Sequence, residues 1–345
     1  MEKVSEENYI NEIKDLLSKA RERVKTAINV TMVYTYYEIG RRIVEQEQRG
    51  KNRAEYGKEI LKQLSKALTK EFGKGYSISN LKMIRQFFII YSNDKIGQTV
   101  FTESDNLPKT LEGRNFYLGW GHYIRLMRIA DIDKRHFYEI EAYKNNWSVR
   151  ELDRQYCSSL YERLALSRNK EKVLELSQKG QIIESPVDAI KDPYVLEFLN
   201  LREDERYSEK DLETKIINKL QFFLLELGKG FTFVGRQMRL SFEDEHFYAD
   251  LVFYNRILRC FVVIDLKTDK LTHQDIGQMQ MYANYFDRCV KLPDENKTIG
   301  ILLCKEKSDA VVEMTLPKDN DSIFASKYET VLPTREELIK IIEEK

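Results

Sequence analysis

Residues 247–254 read F-Y-A-D-L-V-F-Y, residues 258–267 read L-R-C-F-V-V-I-D-L-K, and residues 277–282 read G-Q-M-Q-M-Y. The first two runs are rich in Val, Ile, Phe and Tyr and are separated by residues 255–257, which predicts a β-hairpin with a short turn. Side chains alternate along a strand. Tyr248, Asp250, Val252 and Tyr254 are therefore expected on one face, and Phe261, Val263, Asp265 and Lys267 on one face of the partner strand. Each strand thus carries an acid at an otherwise apolar position.

Burying one carboxylate in an apolar strand is costly, and burying two side by side is worse unless a cation compensates. Lys267 alone cannot neutralise both. A hard divalent cation can, because Mg²⁺ takes one or two carboxylates and fills its remaining positions with waters and substrate phosphate. A D-x-K pair is common in strands. Here a second acid precedes it on a paired strand, and a helix with Gln278 and Tyr282 four residues apart on one face follows it. The spacing D-x14-D-x-K, with Asp250, Asp265 and Lys267, resembles the PD-(D/E)XK nuclease motif. The Q-x3-Y of Gln278 and Tyr282 is similar to an element in the exonuclease domains of bacterial recombination helicases. Two positions depart from the commonest form: Ala249 stands in place of Pro and Asp265 in place of Glu.

The chain has 345 residues, long enough for two domains with separate cores, and its 42% hydrophobic, 11% aromatic and 32% charged residues are those of a globular protein. No apolar run approaches a membrane span and no hydrophobic leader follows Met1, so a cytoplasmic protein without membrane association is expected. Cys157, Cys260, Cys289 and Cys304 are widely spaced, and His122, His136, His246 and His273 show no ligand spacing. Neither a zinc site nor a disulfide framework is indicated. The formal net charge is zero, yet residues 1–170 hold 31 Lys and Arg against 23 Asp and Glu. A basic first half joined to an acidic second half suits a protein that grips an anionic polymer with one part and supplies metal-binding carboxylates with the other. A solvated helical surface would show the same balance. No P-loop, G-x-G-x-x-G or G-x-S-x-G occurs, which disfavours nucleotide hydrolysis and serine esterase chemistry.

Helical periodicity runs from 5 to 49, with Ile10, Ile13, Leu16, Leu17, Val24, Ile28 and Met32 as its apolar line and Gly40 as an interruption. A second helix spans about 53–72, and after Gly73-Lys-Gly a third starts near Ser77 or Ser79. Helix, short Gly-containing turn, helix is the plan of a helix-turn-helix, which makes Ser79, Asn80, Lys82, Arg85 and Gln86 candidates for contact with DNA. Residues 92–114 read as a loop, followed by helices near 118 and over 134–145. A further helix begins at Trp147 with the capping box of Ser148 and Glu151 and carries Arg154 and Gln155, candidate phosphate ligands for which surface ion pairs are an equally simple account. Residues 1–167 are thus expected to form an all-helical domain, 168–192 a polar linker, and 193–345 a second domain. In that second domain a helix is expected over 209–227, a strand from 231, the hairpin, a helix over 273–286, a strand over 298–304, a last strand near 328–331 and a terminal helix over 334–344. This order predicts an α/β/α sandwich with a mixed central sheet.

The strings FGKGYSISNLKMIRQF, NNWSVRELDRQYCSSLYERLALS, KDPYVLEFL, LLELGKGFTFVGRQ, DLVFYN, IDLKT and GQMQMYANY resemble the bacterial YhcG-type family over nearly the whole chain. The resemblance implies a helical, DNA-binding N-terminal domain and a C-terminal PD-(D/E)XK nuclease-like domain. It implies an acid from the first helix of that domain, which is Glu213, with Glu226 as a competitor; Arg236 and Gln237 on the first strand are candidates for contact with the scissile backbone, with packing or surface roles as the alternative. The expected chemistry is metal-assisted phosphodiester hydrolysis leaving 5′-phosphates. In it Asp250, Asp265 and Glu213 hold one or two Mg²⁺, with Mn²⁺ as a substitute, Lys267 orients water or stabilises the phosphorane, and Gln278 and Tyr282 align the site or the strand. DNA is the expected substrate, with RNA as a competitor, in repair, recombination or defence, and a homodimer would suit a cut of both strands. Two rival readings are a DNA-binding or scaffold protein that keeps a nuclease fold without turnover, and an interaction protein whose basic helices bind an acidic partner.

Overall fold

A helix of 48 residues, α1 (Glu2–Arg49), runs through Gly40 without a break. A Cβ at that position would lie 2.5 Å from the Ile84 carbonyl oxygen and 2.8 Å from Phe88 Cβ, so the glycine permits close helix contact rather than interrupting a helix. The computed structural model describes residues 2–49, 54–92, 115–166, 170–201, 207–242 and 244–332. They form two compact units, Met1–Asp153 with Ser177–Gly180, and Arg154–Leu176 with Gln181–Lys345. Most of the expected loop over 92–114 and the expected helix over 334–344 lie outside the described residues.

In the first unit α2 (Ala54–Phe72) and α3 (Ile78–Ser92) flank a turn in which Gly73 and Gly75 adopt φ values of 80° and 127°. Ser77 is the cap of α3: its hydroxyl accepts from the Asn80 N–H at 3.2 Å. Ile43, Leu61, Leu81 and Ile84 pack together between these helices. Beside them Tyr37, Phe87, Phe116 and Tyr123 form a cluster of tilted and edge-on rings about α4 (Trp120–Leu126). Among the described side chains of α1, Val30, Val33, Tyr34, Tyr37 and Ile43 are buried, whereas Leu16, Leu17 and Ile28 are exposed. After α5 (Ile132–Lys144) the expected capping box forms, with the Ser148 N–H donating to Glu151 at 2.7 Å. The helix it starts, α6 (Val149–Cys157), stops at Ser159, whose φ of 52° separates it from α7 (Leu160–Leu166). The span 168–192 contains α8 (Lys170–Lys179), α9 (Pro186–Ala189) and the buried side chains of Gln181, Asp188 and Lys191.

The second unit is built on a six-stranded sheet of β1 (Tyr194–Val195), β2 (Phe231–Phe242), β3 (Glu245–Asn255), β4 (Cys260–Lys270), β5 (Ile299–Glu306) and β6 (Ile323–Glu329), in the order β1-β6-β5-β4-β3-β2. Pairing is antiparallel within β2–β3–β4 and parallel from β4 through β5 and β6 to β1. The helix expected over 209–227 is broken at Lys219 (φ −120°, ψ 28°) into α10 (Glu209–Asn218) and α11 (Leu220–Leu227). Leu212, Ile216, Phe223 and Leu227 from that pair cover one sheet face, against Leu251, Phe253, Val262 and Ile264. Ile276, Met279 and Tyr282 of α12 (His273–Tyr285) cover the other, against Ala249, Val252, Val263 and Leu302. On this second side α13 (Asp309–Thr315) contributes Val312. The result is the expected α/β/α sandwich with a mixed sheet. No described helix is long and apolar enough to cross a membrane.

Candidate active site

The β3–β4 ladder ends one residue short of Asp250, at the pair Leu251↔Ile264. Where the next rung would form, Asp250 Oδ2 accepts the Leu266 N–H at 2.9 Å. A side chain thus replaces a main-chain acceptor, and the alternation of faces slips there. Val252 and Ala249 both lie on the α12 side, although they are three residues apart. Tyr248 therefore does not share a face with Val252 as strict alternation requires, and it is exposed.

Asp265, 3% exposed, sits on β4 beside this break. Burial first, and then the neighbouring Asp250, push its carboxyl up to about 7, against the opposing pull of Lys267. Lys267 Nζ is 2.8 Å from Asp265 Oδ2 and 3.8 Å from both Glu209 and Asp275. Burial disfavours its charge, but these acids outweigh that and hold its pKa above the usual lysine value. Asp265 Oδ2 is buried and makes no hydrogen bond of good geometry. The proximity to Lys267 is an ion pair only.

Glu213, buried on α10, reaches this centre through Gln237. The Gln237 amide donates to Glu213 Oε2 at 2.6 Å and to Asp250 Oδ1 at 2.9 Å. Gln237 adopts a φ of 47° on β2, and this local irregularity turns its side chain to the two acids. Arg236 Nε stands 3.8 Å from Glu213 and is half exposed. Gln278 and Tyr282 act one step away: Gln278 donates to the Tyr282 hydroxyl at 2.5 Å, and that hydroxyl donates to the Tyr248 carbonyl at 3.0 Å. They hold β3 two residues before Asp250. Glu209 and Asp275, the acids that flank Lys267, were not singled out by the sequence. Asp275 carries a readable signal, because it closes a capping box with Thr272.

Among the described residues no three His, Cys, Asp or Glu side chains converge as a ligand group. Asp250 and Asp265 together still fit a hard cation that keeps several waters, and the buried Asp265 Oδ2, whose one close partner is the Lys267 ammonium, is an acceptor such an ion would take. Glu226 is not a competitor for this role. It is fully buried between Arg163 Nη1 at 2.5 Å and Arg154 Nη1 at 3.2 Å, its backbone carbonyl takes Lys191 Nζ, and its Oε1 accepts the Val195 N–H at 3.0 Å.

Arg154, expected to hold phosphate, is committed internally. It pairs with Glu197 at 2.8 Å and with Glu226, and it lies over the Phe198 ring at 5.2 Å. Within the first unit, Ser79, Lys82 and Gln86 of α3 are exposed and Asn80 is half-buried with its amide on the Gly75 carbonyl. Arg85 is paired to Glu47 at 2.6 Å.

Comparison with known proteins finds two matching segments. Residues 187–342 match the model of the YhcG PDDEXK nuclease domain, and residues 12–163 that of the DUF1016 N-terminal domain. The protein of Escherichia coli (strain K12) named "Putative nuclease YhcG" is 40% identical over 338 residues, covering 94% of this chain and 90% of that protein. Among solved structures, a repair endonuclease from Pyrococcus abyssi is similar over 39% of this chain and 50% of its own, at 16% identity and a TM-score of 0.26. The EndoMS–dsDNA complex is similar over 39% and 51%, at 16% identity and a TM-score of 0.25. At 40% identity across almost its full length, this chain belongs to the YhcG family of PDDEXK nucleases.

Proposed function

We propose that this protein is a metal-dependent deoxyribonuclease that hydrolyses phosphodiester bonds in DNA, with an N-terminal helical region that binds the nucleic acid. The observation that carries this reading is the pair Asp250 and Asp265. They are electrostatic neighbours at a broken ladder, with Lys267 Nζ 2.8 Å from the buried Oδ2 of Asp265. Two neighbouring carboxylates of this kind serve poorly as packing, since burial, and then the neighbouring Asp250, raise the Asp265 carboxyl to about 7.

In this reading Asp250 and Asp265 would hold the metal, with Glu213, joined to Asp250 by the bridging Gln237 amide, as the further acid. When bound there, Mg²⁺, or Mn²⁺ in its place, would supply a water of lowered pKa and offset charge on the phosphate. Lys267, kept cationic by Asp265, Glu209 and Asp275, orients the attacking water or donates to a phosphate oxygen. Tyr282 and Gln278 fix the strand that presents Asp250. Ser79, Lys82 and Gln86 lie open on α3 for contact with DNA. The proposed division of labour keeps residues 1–167 for binding and 193–345 for cleavage, joined by 168–192, and a homodimer would bring two such sites to the two strands.

The test is cleavage of linear, circular, single-stranded, flapped and four-way branched DNA, with RNA in parallel, under Mg²⁺, Mn²⁺ or EDTA. The wild type should cut DNA only with metal, and Asp265→Asn, which keeps the shape but removes the charge, should not cut. Cleavage that survives in the variant or in EDTA overturns the metal assignment.

A further inference from the structure

The β2–β3 hairpin is longer than the sheet that supports it. β3 pairs with β4 only over 251–255, whereas β2 and β3 stay paired out to Phe242 and Glu245. Residues beyond the break at Asp250 therefore form a two-stranded arm rooted at the carboxylates. Its two faces differ. Met238, Leu240, Phe242, Phe247 and Ala249 pack toward α12. Alternation sends Arg239, Ser241, His246 and Tyr248 to the opposite face, and all four are exposed.

At the root of that face stands Arg236, beside Glu213 on the α10 side. Arg239 and Tyr248 are opposite each other in the ladder, so their side chains are cross-strand neighbours. Arg239 Nη2 donates to His246 Nε2 at 2.6 Å, which orients the guanidinium without neutralising it. Tyr248 is 48% exposed while its carbonyl is pinned by the Tyr282 hydroxyl. A half-exposed aromatic ring on a pinned strand, with two exposed arginines on the same face, suits a polynucleotide strand, whose bases stack on the ring and whose phosphates take the arginines. The tip carries exposed Asp244 and Glu245, which repel phosphate and confine the contact to the half of the arm nearest the carboxylates.

We infer that Arg236, Arg239 and Tyr248 form a track for the DNA strand that enters the Asp250–Asp265 site. Arg239 lies on a phosphate flanking the scissile one and Tyr248 stacks on a base. This rests on the nuclease reading above and adds to it the surface that guides the substrate.

Full-length wild type, Arg239→Glu, Tyr248→Ser and the double variant Asp244→Lys/Glu245→Lys are compared for DNA affinity in EDTA across a KCl series and for cleavage kinetics with Mg²⁺. Arg256→Glu, at the exposed far end of the same hairpin, is the control for a general charge effect. Arg239→Glu and Tyr248→Ser should raise Kd and KM about fivefold or more and leave kcat within about twofold, as expected for the loss of one phosphate or stacking contact. Arg239→Glu should also flatten the log–log salt slope by about one. The tip variant should tighten binding and the control should match wild type. All variants should melt with the wild type, because every substituted side chain is exposed. If the wild type binds and cuts DNA while Arg239→Glu and Tyr248→Ser share its Kd, KM and salt slope, the track is refuted. A wild type that neither binds nor cuts any DNA removes the nuclease reading and the track with it.

Discussion

The hydroxyl of Tyr282 donates to the main-chain carbonyl of Tyr248 at 3.0 Å, joining α12 to the strand that carries Asp250. The Q-x3-Y pair thus acts on the backbone rather than on the carboxylates. Tyr282→Phe keeps the ring in its core cluster but leaves the Tyr248 carbonyl and the Gln278 amide without this partner. The loss of stability should be about 1 kcal/mol. Cleavage should fall roughly tenfold, through kcat, because Asp250 is less firmly placed. Single-turnover cleavage beside thermal melting checks this, and a variant as active as the wild type overturns the positioning role.

Glu226 predicts an acid-sensitive fold. Burial on its own would raise its carboxyl pKa, but Arg163, Lys191 and Arg154 outweigh it and hold the group at about 2. Because the folded pKa lies below the unfolded value of about 4.5, the contribution is complete above that pH and is lost as pH falls from about 4.5 to about 2. Glu226→Gln leaves Arg163 buried without its counter-charge and should cost about 3–5 kcal/mol at neutral pH. Urea unfolding at pH 7, and again near pH 3, reads both; the gap between variant and wild type should narrow in acid.

Two glycines should respond to alanine with opposite signs. Gly40→Ala drives a methyl into the Ile84 carbonyl and Phe88 and should lower stability by about 1–3 kcal/mol. Gly277, on α12, has nothing within 4 Å of an added Cβ, and Gly277→Ala should add about 0.5–1 kcal/mol. Thermal melting of the two single variants decides the matter.

Lys82 is exposed on α3, whereas Arg85 beside it already holds Glu47. Lys82→Glu should weaken DNA binding and flatten its salt dependence by about one in log–log slope. Arg85→Glu should add a loss of stability from the broken ion pair. Fluorescence anisotropy against KCl concentration measures the binding and thermal melting the stability, and unchanged affinity in Lys82→Glu ends the proposal that this helix touches DNA.

Signals carried by near neighbours in the chain were legible in the sequence. The β3–β4 hairpin, the Ser148–Glu151 box, a serine cap on α3 at Ser77 or Ser79 and the layering of helices on a mixed sheet all follow from periodicity of two or 3.6, from caps and from turn residues. The spacing of Asp250, Asp265 and Lys267 also brought them together, because a hairpin's register follows from its turn. Contacts between distant segments were decided only by the tertiary structure. Arg163 and Glu226 are 63 residues apart, and nothing local distinguishes that pair from surface charges; only packing makes Glu226 a buried structural acid. The same holds for Arg154, which local sequence leaves free for phosphate and the fold spends on Glu197. The slip at Asp250 is likewise invisible to alternation, since it arises when a carboxylate takes the Leu266 amide from the ladder. Periodicity describes the bonds a strand could make, whereas the choice of which donor meets which acceptor belongs to three dimensions.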